Sequence, residues 1–232
     1  MAWWKRSSHP PADGPAAAEL PLIRLEGIGR VFEGDAEEPA VALRDVTVDI
    51  DRGEFISVSG PSGCGKSTFL SIIAMLDTPT TGRYWLSGRP VDKLSPNERA
   101  RVRNVHIALI FQSFNLIRDL SVFENVEYPL TLRNVSVNER RDRVMAALER
   151  VGLTGRAKQR PGQLSGGHQQ LVAIARAIAG QPPIVLADEP TGNLDSAAGE
   201  AVMKMLVDLH ASGSTLWIAT HKPQYLAMAH RH

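Results

Sequence analysis

The sequence contains little of what would mark a secreted, membrane-spanning or strongly charged protein. Its single cysteine among 232 residues excludes an internal disulfide and suits a reducing cytoplasm. No apolar run approaches the ~20 residues that are needed to cross a bilayer. The start of the chain lacks the apolar stretch of a signal peptide, because Trp3-Trp4-Lys5-Arg6 is followed by serine, histidine and proline. We therefore expect a cytoplasmic chain without a membrane span of its own.

The net charge is also close to zero, at +1, which argues against a nucleic-acid partner held by bulk electrostatics. Hydrophobic residues make up 43% and charged residues 22% of the chain, as is typical of a globular protein that buries one core. Residues 1–21 are rich in proline, alanine, glycine and serine, which predicts a disordered N-terminal extension. Residues 22–232 are predicted to form one domain with an inserted helical lobe.

The most informative stretch runs from Gly60 to Thr68 and fits the pattern G-x-x-x-x-G-K-[ST]. The apolar run Phe55–Ser59 before it predicts a buried strand, and the residues after it have helical spacing. This strand–turn–helix context is what a phosphate-binding loop requires, and it weighs against a chance glycine turn with an exposed lysine. The sequence therefore predicts a nucleoside triphosphate site formed by Gly60, Pro61, Ser62, Gly63, Cys64, Gly65, Lys66, Ser67 and Thr68.

Each residue type in this loop has its own chemical reason. Gly63 and Gly65 let backbone N–H groups curl around a phosphate without a Cβ in the way. The following helix directs the positive end of its dipole at the same anion. Lys66, which we also count among the catalytic residues, is expected to reach the β- and γ-phosphates. Ser67 is expected to contribute a hydroxyl to Mg²⁺, and Thr68 to bind a phosphate nearer the ribose.

The rest of the chain predicts a mainly parallel α/β domain with an antiparallel part at its start. Two alternating segments, residues 22–25 and 42–50, indicate antiparallel strands joined by an acidic loop. Phe32, at the end of the first strand, is a candidate platform for a purine ring, although a lone phenylalanine is more often a core residue. Later strands alternate with helices, and a helical lobe at about 115–180 is inserted among them. These later strands are predicted at residues 82–88, 105–111, 184–187 and 215–219.

Four predicted strands end in polar groups: the glycine loop, Gln112, Asp188-Glu189 and His221. Ligands of open α/β sheets bind outside the carboxyl ends of the strands, so one topology would gather these groups around a single triphosphate. Asp188 is expected to hold Mg²⁺ through water, Glu189 to polarise the attacking water, and Gln112 to orient that water and touch the metal. His221 is expected to donate to an oxygen of the γ-phosphate. Taken singly, each could instead be a turn residue, a solvated strand end or a core histidine.

A second anion-binding pattern lies in the helical lobe. Ser165, Gly166 and Gly167 open a helix, and a serine with two glycines at a helix N-terminus can bind an anion. A capping serine followed by glycine linkers is the alternative interpretation. Because the phosphate loop already supplies a cradle, this second surface does not fit a self-contained site.

Together these patterns resemble the nucleotide-binding subunit of ATP-binding cassette (ABC) transporters, from about Leu22 to Tyr225. The resemblance is specific because six motifs follow in the family's order. They are Walker A (Gly60–Thr68), the Q-loop (Gln112), the signature (Leu164–His168), Walker B (Ile184–Glu189), the D-loop (Gly192–Asp195) and the switch histidine (His221). The resemblance implies the P-loop NTPase fold of an ABC ATPase, ATP and Mg²⁺ as ligands, and Phe32 as the residue that stacks on adenine.

The resemblance also implies an assembly of two copies. Members of the family pair head to tail, so that Ser165, Gly166, Gly167 and His168 of one copy close over the ATP of the other. Asp195 belongs to the D-loop. ATP is expected to hold the homodimer together, and hydrolysis at Glu189 to release it.

Within the family, the motif residues look like the lipoprotein-release and macrolide-export branch, whose members drive an integral membrane permease. The implied function is export or extraction of an unknown substrate, powered from the cytoplasmic face of the inner membrane. The alternative is a transmembrane signalling ATPase whose permease-like partner regulates a cell-wall hydrolase. We expect Phe114, Leu116, Ile117 and Leu120 to contact the permease.

Three residues depart from the family pattern. His168 stands where a glutamine or glutamate is usual, Leu171 where an arginine is common, and Lys222 where an aspartate usually follows the switch histidine. We expect activity to survive, because Ser165 and the two glycines make the phosphate contacts. The chain also stops soon after His221, short of the closing strands of many members, so we expect a less protected sheet edge.

Overall fold

Two four-stranded sheets form the framework of the chain. The computed structural model describes residues 20–33, 39–61 and 63–231. The predicted N-terminal extension lies outside the described residues up to position 19, as do residues 34–38 of the acidic loop and Ser62. The strands are β1 (Ile23–Phe32), β2 (Ala40–Ile50), β3 (Phe55–Val58), β4 (Thr81–Leu86), β5 (Arg89–Pro90), β6 (Ile107–Phe111), β7 (Ile184–Asp188) and β8 (Thr215–Ala219).

The first sheet is antiparallel and the second is parallel. In the first, β1 lies between β2 and β4, and β5 extends the sheet beyond β4. In the second, the order is β3-β8-β7-β6 and every neighbouring pair is parallel. Parallel pairing places the carboxyl ends of all four strands at one edge. The predicted α/β fold, with an antiparallel part before a parallel core, is confirmed.

The described residues form seven α-helices, most of which begin at a capping side chain. Ser95 and Ser121 each accept a hydrogen bond from the backbone N–H of a glutamate three residues on, and Glu98 and Glu124 bond back to the serine N–H. Three later helices also start at a capping serine or aspartate. The helices are α1 (Lys66–Ile73), α2 (Pro96–His106), α3 (Val122–Thr131), α4 (Val137–Arg150), α5 (Gly166–Ile178), α6 (Ser196–Ala211) and α7 (Pro223–Leu226).

The hydrophobic pattern of the sequence does not predict helix α2. Its single buried residue is His106, so it has no apolar stripe of helical period. Because α2 runs through His106, strand β6 begins at Ile107 rather than at Val105. The capping box of Ser95 and Glu98 is the signal that identifies the start of this helix.

Two apolar cores lie on the two faces of the parallel sheet. Ile184 and Leu186 of β7 point into a core shared with α1 and the antiparallel sheet. Val185 and Ala187 point into a core shared with helices α3 to α6. Helix α5 is central to this second core, because it packs against α3, α4, α6 and β6 and is fully buried over residues 172–175.

None of the helices within the described ranges is long and apolar enough to cross a membrane. At the outer edge of the parallel sheet, Arg231 forms an isolated parallel bridge with Ile56 of β3. The backbone N–H of Ser57 donates to the Arg231 carbonyl oxygen at 2.9 Å. Strand β3 forms the sheet edge that we expected to be less protected, and this one bridge from Arg231 pairs part of it.

Candidate nucleotide-binding site

A cavity of about 570 Å³ lies at the carboxyl ends of β3, β7 and β8. This is where the ligand of an open α/β sheet is expected to bind. The structure thus brings three of the four predicted strand-end groups around one space: the glycine loop, Asp188-Glu189 at the end of β7 and His221 after β8. The lining residues are Ala42, Gly60, Pro61, Gly63, Gly65, Lys66, Ser67, Thr68, Asp188, Glu189 and His221.

The backbone of the glycine loop shapes one side of the cavity. Gly63 and Gly65 have φ of +80° and +96°, in the left-handed region that favours glycine. A Cβ on Gly65 would lie 2.5 Å from the carbonyl oxygen of Ala42, so strand β2 leaves room only for glycine there. Helix α1 begins directly after Gly65 and has no acidic residue in its first turn. The loop therefore presents a helix N-terminus to the cavity, where a phosphate is stabilised.

The ammonium group of Lys66 is bound to the loop itself. Its Nζ donates to the carbonyl oxygens of Gly60 at 2.7 Å and Pro61 at 2.8 Å, and the sulfur of Cys64 lies 3.7 Å away. A phosphate oxygen is more negative than a carbonyl oxygen, so it can replace these acceptors with a stronger, charge-assisted bond. Cys64 is exposed and does not line the cavity, which suits a passive loop residue.

A hydroxyl and a carboxylate meet beside the loop. Ser67 Oγ donates to Asp188 Oδ2 at 3.3 Å and ties the start of α1 to the end of β7. Burial raises the pKa of Asp188 above its usual value; the Ser67 hydrogen bond opposes this shift and the charge of Glu189 adds to it. A poorly solvated carboxylate next to a hydroxyl is an oxygen donor set that suits a hard divalent cation. These residues therefore fit Mg²⁺.

Glu189 is held by neighbours from the end of β8. Its Oε1 lies 2.9 Å from Nδ1 of His221, and its Oε2 accepts from the hydroxyl of Thr220 at 3.3 Å. Because an ionised carboxylate only accepts, the first bond requires the His221 proton on Nδ1. The backbone N–H of Glu189 donates to the Ala219 carbonyl oxygen at 2.9 Å. These bonds hold Glu189 at φ +44°, a backbone conformation that costs a non-glycine residue ~1 kcal/mol or more.

Two further predicted site residues, Gln112 and Phe32, do not line the cavity. Gln112 turns toward the D-loop, where its Nε2 donates to Oδ1 of Asn193 at 3.0 Å and its backbone oxygen accepts from Nδ2 of Asn193 at 3.1 Å. Phe32 is 41% exposed at the end of β1, and the guanidinium of Arg30 lies 4.5 Å from its ring centroid. Phe32 is therefore a surface aromatic rather than a core residue, and a cation covers one face of its ring.

Residues 165–168 of the signature lie at the N-terminus of α5 and do not line the cavity either. Ser165 caps α5, because its Oγ accepts from the backbone N–H of His168 at 3.4 Å and lies 2.8 Å from the ring Nδ1 of the same residue. A Cβ added to Gly167 would lie 2.9 Å from the nearest side chain of α6. Asp195 caps α6 by accepting from the backbone N–H three residues on, at 2.9 Å. The signature and the D-loop thus meet at the N-termini of two helices in contact.

A buried side chain that the sequence patterns do not identify connects this signature helix to the strand ends. Gln170 of α5 is fully buried and donates through Nε2 to the carbonyl oxygens of Phe111 at 3.2 Å and Pro190 at 2.8 Å. Phe111 directly precedes Gln112, and Pro190 directly follows Glu189. In the sequence, the signal for a buried bridging residue of this kind is an amide side chain at a position that the helical pattern places on the buried face.

The departures from the family pattern have their own contacts. Lys222 donates to the carbonyl oxygen of Thr191 at 3.1 Å, and its ammonium lies 5.6 Å from the ring centroid of Tyr225. Lys222 thereby ties the segment after β8 to the segment after β7. Leu171 packs against the apolar core that the parallel sheet shares with α3 to α6.

Comparison with known proteins relates most of the chain to transporter cassettes. Residues 43–192 match the ABC transporter family. An uncharacterized ABC transporter ATP-binding protein of Methanocaldococcus jannaschii is 46% identical over 203 residues, which cover 88% of this chain and 90% of that protein. The macrolide export ATP-binding/permease protein MacB 1/2 of Paracoccus denitrificans is 45% identical over 216 residues. This match covers 93% of the chain but 32% of the relative, so the chain spans about a third of its length.

Solved structures of the cassette MJ0796 have the same fold. One, described as a dimer in a post-hydrolysis state bound to ADP and Pi, has a TM-score of 0.82 and 41% identity over 89% of this chain and 91% of that chain. Another, described as a dimeric bacterial ABC transporter cassette, has a TM-score of 0.82 and 42% identity over the same shares of the two chains. The chain therefore belongs to the ABC transporter family, as one of its ATP-binding, ATP-hydrolysing subunits.

Proposed function

We propose that the chain powers an export-type ABC transporter by binding ATP with Mg²⁺, pairing with a second copy and hydrolysing the nucleotide. The observation that carries this proposal is the convergence of Lys66, Ser67, Asp188, Glu189 and His221 on one cavity at the ends of three parallel strands. A phosphate loop alone serves many NTPases. Here a metal-binding pair, a general base and a donor for the γ-phosphate stand beside it.

Hydrolysis requires a water in line with the γ-phosphorus and neutralised charge on the phosphate oxygens. Lys66 exchanges its loop carbonyls for the β- and γ-phosphates, which the N-terminus of α1 also stabilises. Glu189 accepts a proton as the water oxygen bonds to the γ-phosphorus and the bond to the bridging oxygen breaks. The Nδ1–H of His221, which donates to Glu189 before nucleotide binds, turns to a γ-phosphate oxygen, so the imidazole responds to the loss of that phosphate.

Ser67 and Asp188 are the proposed protein ligands of Mg²⁺, the latter through water, and Gln112 joins them once its side chain leaves Asn193. When bound, the metal neutralises charge on the β- and γ-phosphate oxygens. The Asp188 carboxylate gains from a cation in particular, because burial disfavours its charge.

The signature residues act on a second copy of the chain. Residues 165–168 lie outside the cavity of their own chain, at a helix N-terminus whose free N–H groups suit a phosphate. In a head-to-tail pair, Ser165 of one copy covers the ATP held by Lys66 of the other. The description of the similar cassette MJ0796 as a dimer supports this arrangement.

The permease is proposed to bind in a groove between α2 and α3. This groove has a volume of about 330 Å³ and exposes apolar side chains at Tyr128, 48% exposed, and Leu132, 68% exposed. The four residues that the sequence predicts for permease contact, Phe114, Leu116, Ile117 and Leu120, do not line this groove. Ile117 is 40% exposed and available to a partner beside the groove, whereas Leu116 packs against the core under α3 to α6. The MacB relatives are named as ATP-binding and permease proteins in one, which favours export at the cytoplasmic face of a membrane over the signalling alternative.

Glu189→Gln tests this function, because it keeps the shape of the side chain and removes the base. Turnover should fall at least ~100-fold, while ATP stays bound. With Mg²⁺ and ATP, light scattering should report twice the 25.3 kDa of the single chain. Glu200→Gln, which neutralises an exposed glutamate of α6, is the matched control and should behave as the parent. Hydrolysis at the parent rate by Glu189→Gln would refute the base assignment. A strictly monomeric ATP-loaded variant, even with the permease supplied, would refute the pairing.

A further inference from the structure

One hydrogen bond holds the side chain of Gln112 on the D-loop, and a second holds its backbone there. Nε2 of Gln112 donates to Oδ1 of Asn193 at 3.0 Å, and Nδ2 of Asn193 donates to the backbone oxygen of Gln112 at 3.1 Å. The two residues are 81 positions apart in the chain. The bonds therefore join the segment that follows β6 to the segment that follows β7, the neighbouring strand.

Packing against Gly192 supports the same arrangement. A Cβ added to Gly192 would lie 2.6 Å from Nε2 and 2.9 Å from Cδ of Gln112. The carboxamide thus lies against the bare Cα of Gly192, in space that a larger residue would fill. One side-chain hydrogen bond and one close backbone contact keep the Gln112 carboxamide out of the lining of the cavity.

We propose that Asn193 is a positioning residue that acts as a latch on Gln112. This inference rests on the proposed function, in which Gln112 becomes a ligand of Mg²⁺. Metal that arrives with the nucleotide must compete with Asn193 for the same carboxamide. The affinity of the site for its metal therefore depends on a residue that does not itself line the cavity.

The size of the effect follows from the side-chain bond, because the bond to the backbone oxygen does not hold the carboxamide. Both residues are exposed, so water competes for the same groups and the bond contributes only about 1 kcal/mol. Its loss should shift the equilibrium of Gln112 toward the metal about fivefold. Binding of nucleotide without metal should not change, because the phosphate loop is not part of the latch.

The test uses Mn²⁺ as the metal probe and the non-hydrolysable analogue AMP-PNP, with the full chain. Asn193→Ala removes both bonds, and Asn193→Leu removes them while keeping the volume of the side chain. Electron paramagnetic resonance measures free Mn²⁺, and calorimetry in EDTA measures AMP-PNP binding without metal. Both variants should bind Mn²⁺ about fivefold more tightly than the parent and bind metal-free AMP-PNP equally well. Asn97→Ala, which truncates an exposed asparagine of α2, is the matched control and should leave both affinities unchanged.

Gln112→Ala, alone and combined with Asn193→Ala, separates the latch from the metal assignment. If Gln112→Ala leaves Mn²⁺ affinity unchanged, Gln112 is not a ligand and that part of the proposed function is wrong. If Gln112→Ala weakens Mn²⁺ binding but neither Asn193 variant strengthens it, the latch is wrong and the ligand assignment stands. In the double variant the effect of Asn193→Ala should vanish. A fivefold gain that persists there would overturn the latch, because Asn193 would then act without Gln112.

Discussion

Gln170 allows a quantitative test of how the signature helix is joined to the catalytic segments. Its Nε2 donates to the carbonyl oxygens of Phe111 and Pro190, and its Oε1 is buried without a partner among the described residues. Gln170→Glu keeps the shape but sets an oxygen against two carbonyl oxygens in a fully buried place. A buried carboxylate without a partner costs ~3–5 kcal/mol, so at pH 7 the free energy of unfolding should fall toward that range.

Gln170→Leu is the matched comparison. It also removes two hydrogen bonds, each worth ~1 kcal/mol, but it removes the unpaired Oε1 as well, which offsets part of the loss. The leucine variant should therefore lose only about 1 kcal/mol, at least ~2 kcal/mol less than the glutamate variant at pH 7.

The dependence on pH separates the charge from the shape. Burial raises the pKa of the introduced carboxyl in the folded chain above its unfolded value of about 4.3. The contribution of such a carboxyl to the free energy of unfolding is complete below the unfolded pKa. As pH rises from the unfolded pKa to the folded pKa, this contribution falls by ~1.4 kcal/mol per pH unit. Urea unfolding, followed by tryptophan fluorescence between pH 5 and 8, should show the gap between the two variants widening as pH rises. A gap that does not change with pH, or equal losses at pH 7, would show that the amide does not bridge these segments as described.

Three further substitutions test the cavity. Asp188→Asn should raise the unfolding temperature at pH 7, because burial raises the pKa of Asp188 and its contribution to stability is lost as pH rises. This rise in unfolding temperature should vanish below about pH 4. Mg²⁺-dependent ATP binding by the variant should weaken at least ~tenfold. Melting curves identical to those of the parent at both pH values would contradict the effect of burial on Asp188. Gly65→Ala should cost ~2 kcal/mol or more and abolish ATP binding, because its Cβ would meet the Ala42 oxygen at 2.5 Å. Gly63→Ala, whose Cβ meets nothing within 4 Å, should cost ~1 kcal/mol for its positive φ alone, and equal urea midpoints for the two variants would refute the steric reason.

The residues around the cavity could be predicted because they follow local patterns. The loop from Gly60 to Thr68 carries its own strand and helix signals on either side. Asp188-Glu189 and His221 each come directly after a short apolar run that forms a buried parallel strand. Parallel strands bring their carboxyl ends to one edge whatever the details of side-chain packing. Topology alone was therefore enough to gather these groups.

What could not be predicted depends on the direction of single side chains. Gln112 follows the expected strand, but a contact with a residue far along the chain decides where its carboxamide points. Leu116 belongs to an apolar loop that the sequence predicts to contact a partner. Left-handed backbone at Phe114 and Asn115 redirects that loop, and Arg176 holds it by donating to both carbonyl oxygens. Hydrophobic pattern carries no information about such tertiary contacts.

The burial of α5 on nearly every side has a mechanical consequence. A helix packed against three other helices and a strand has no free side along which it can slide by itself. Close-packed interiors resist deformation, so a force applied to α3 is transmitted through α5. Ser165 lies at the N-terminus of α5. A partner that binds at α3, as proposed above, would therefore displace this hydroxyl without any contact of its own with the nucleotide.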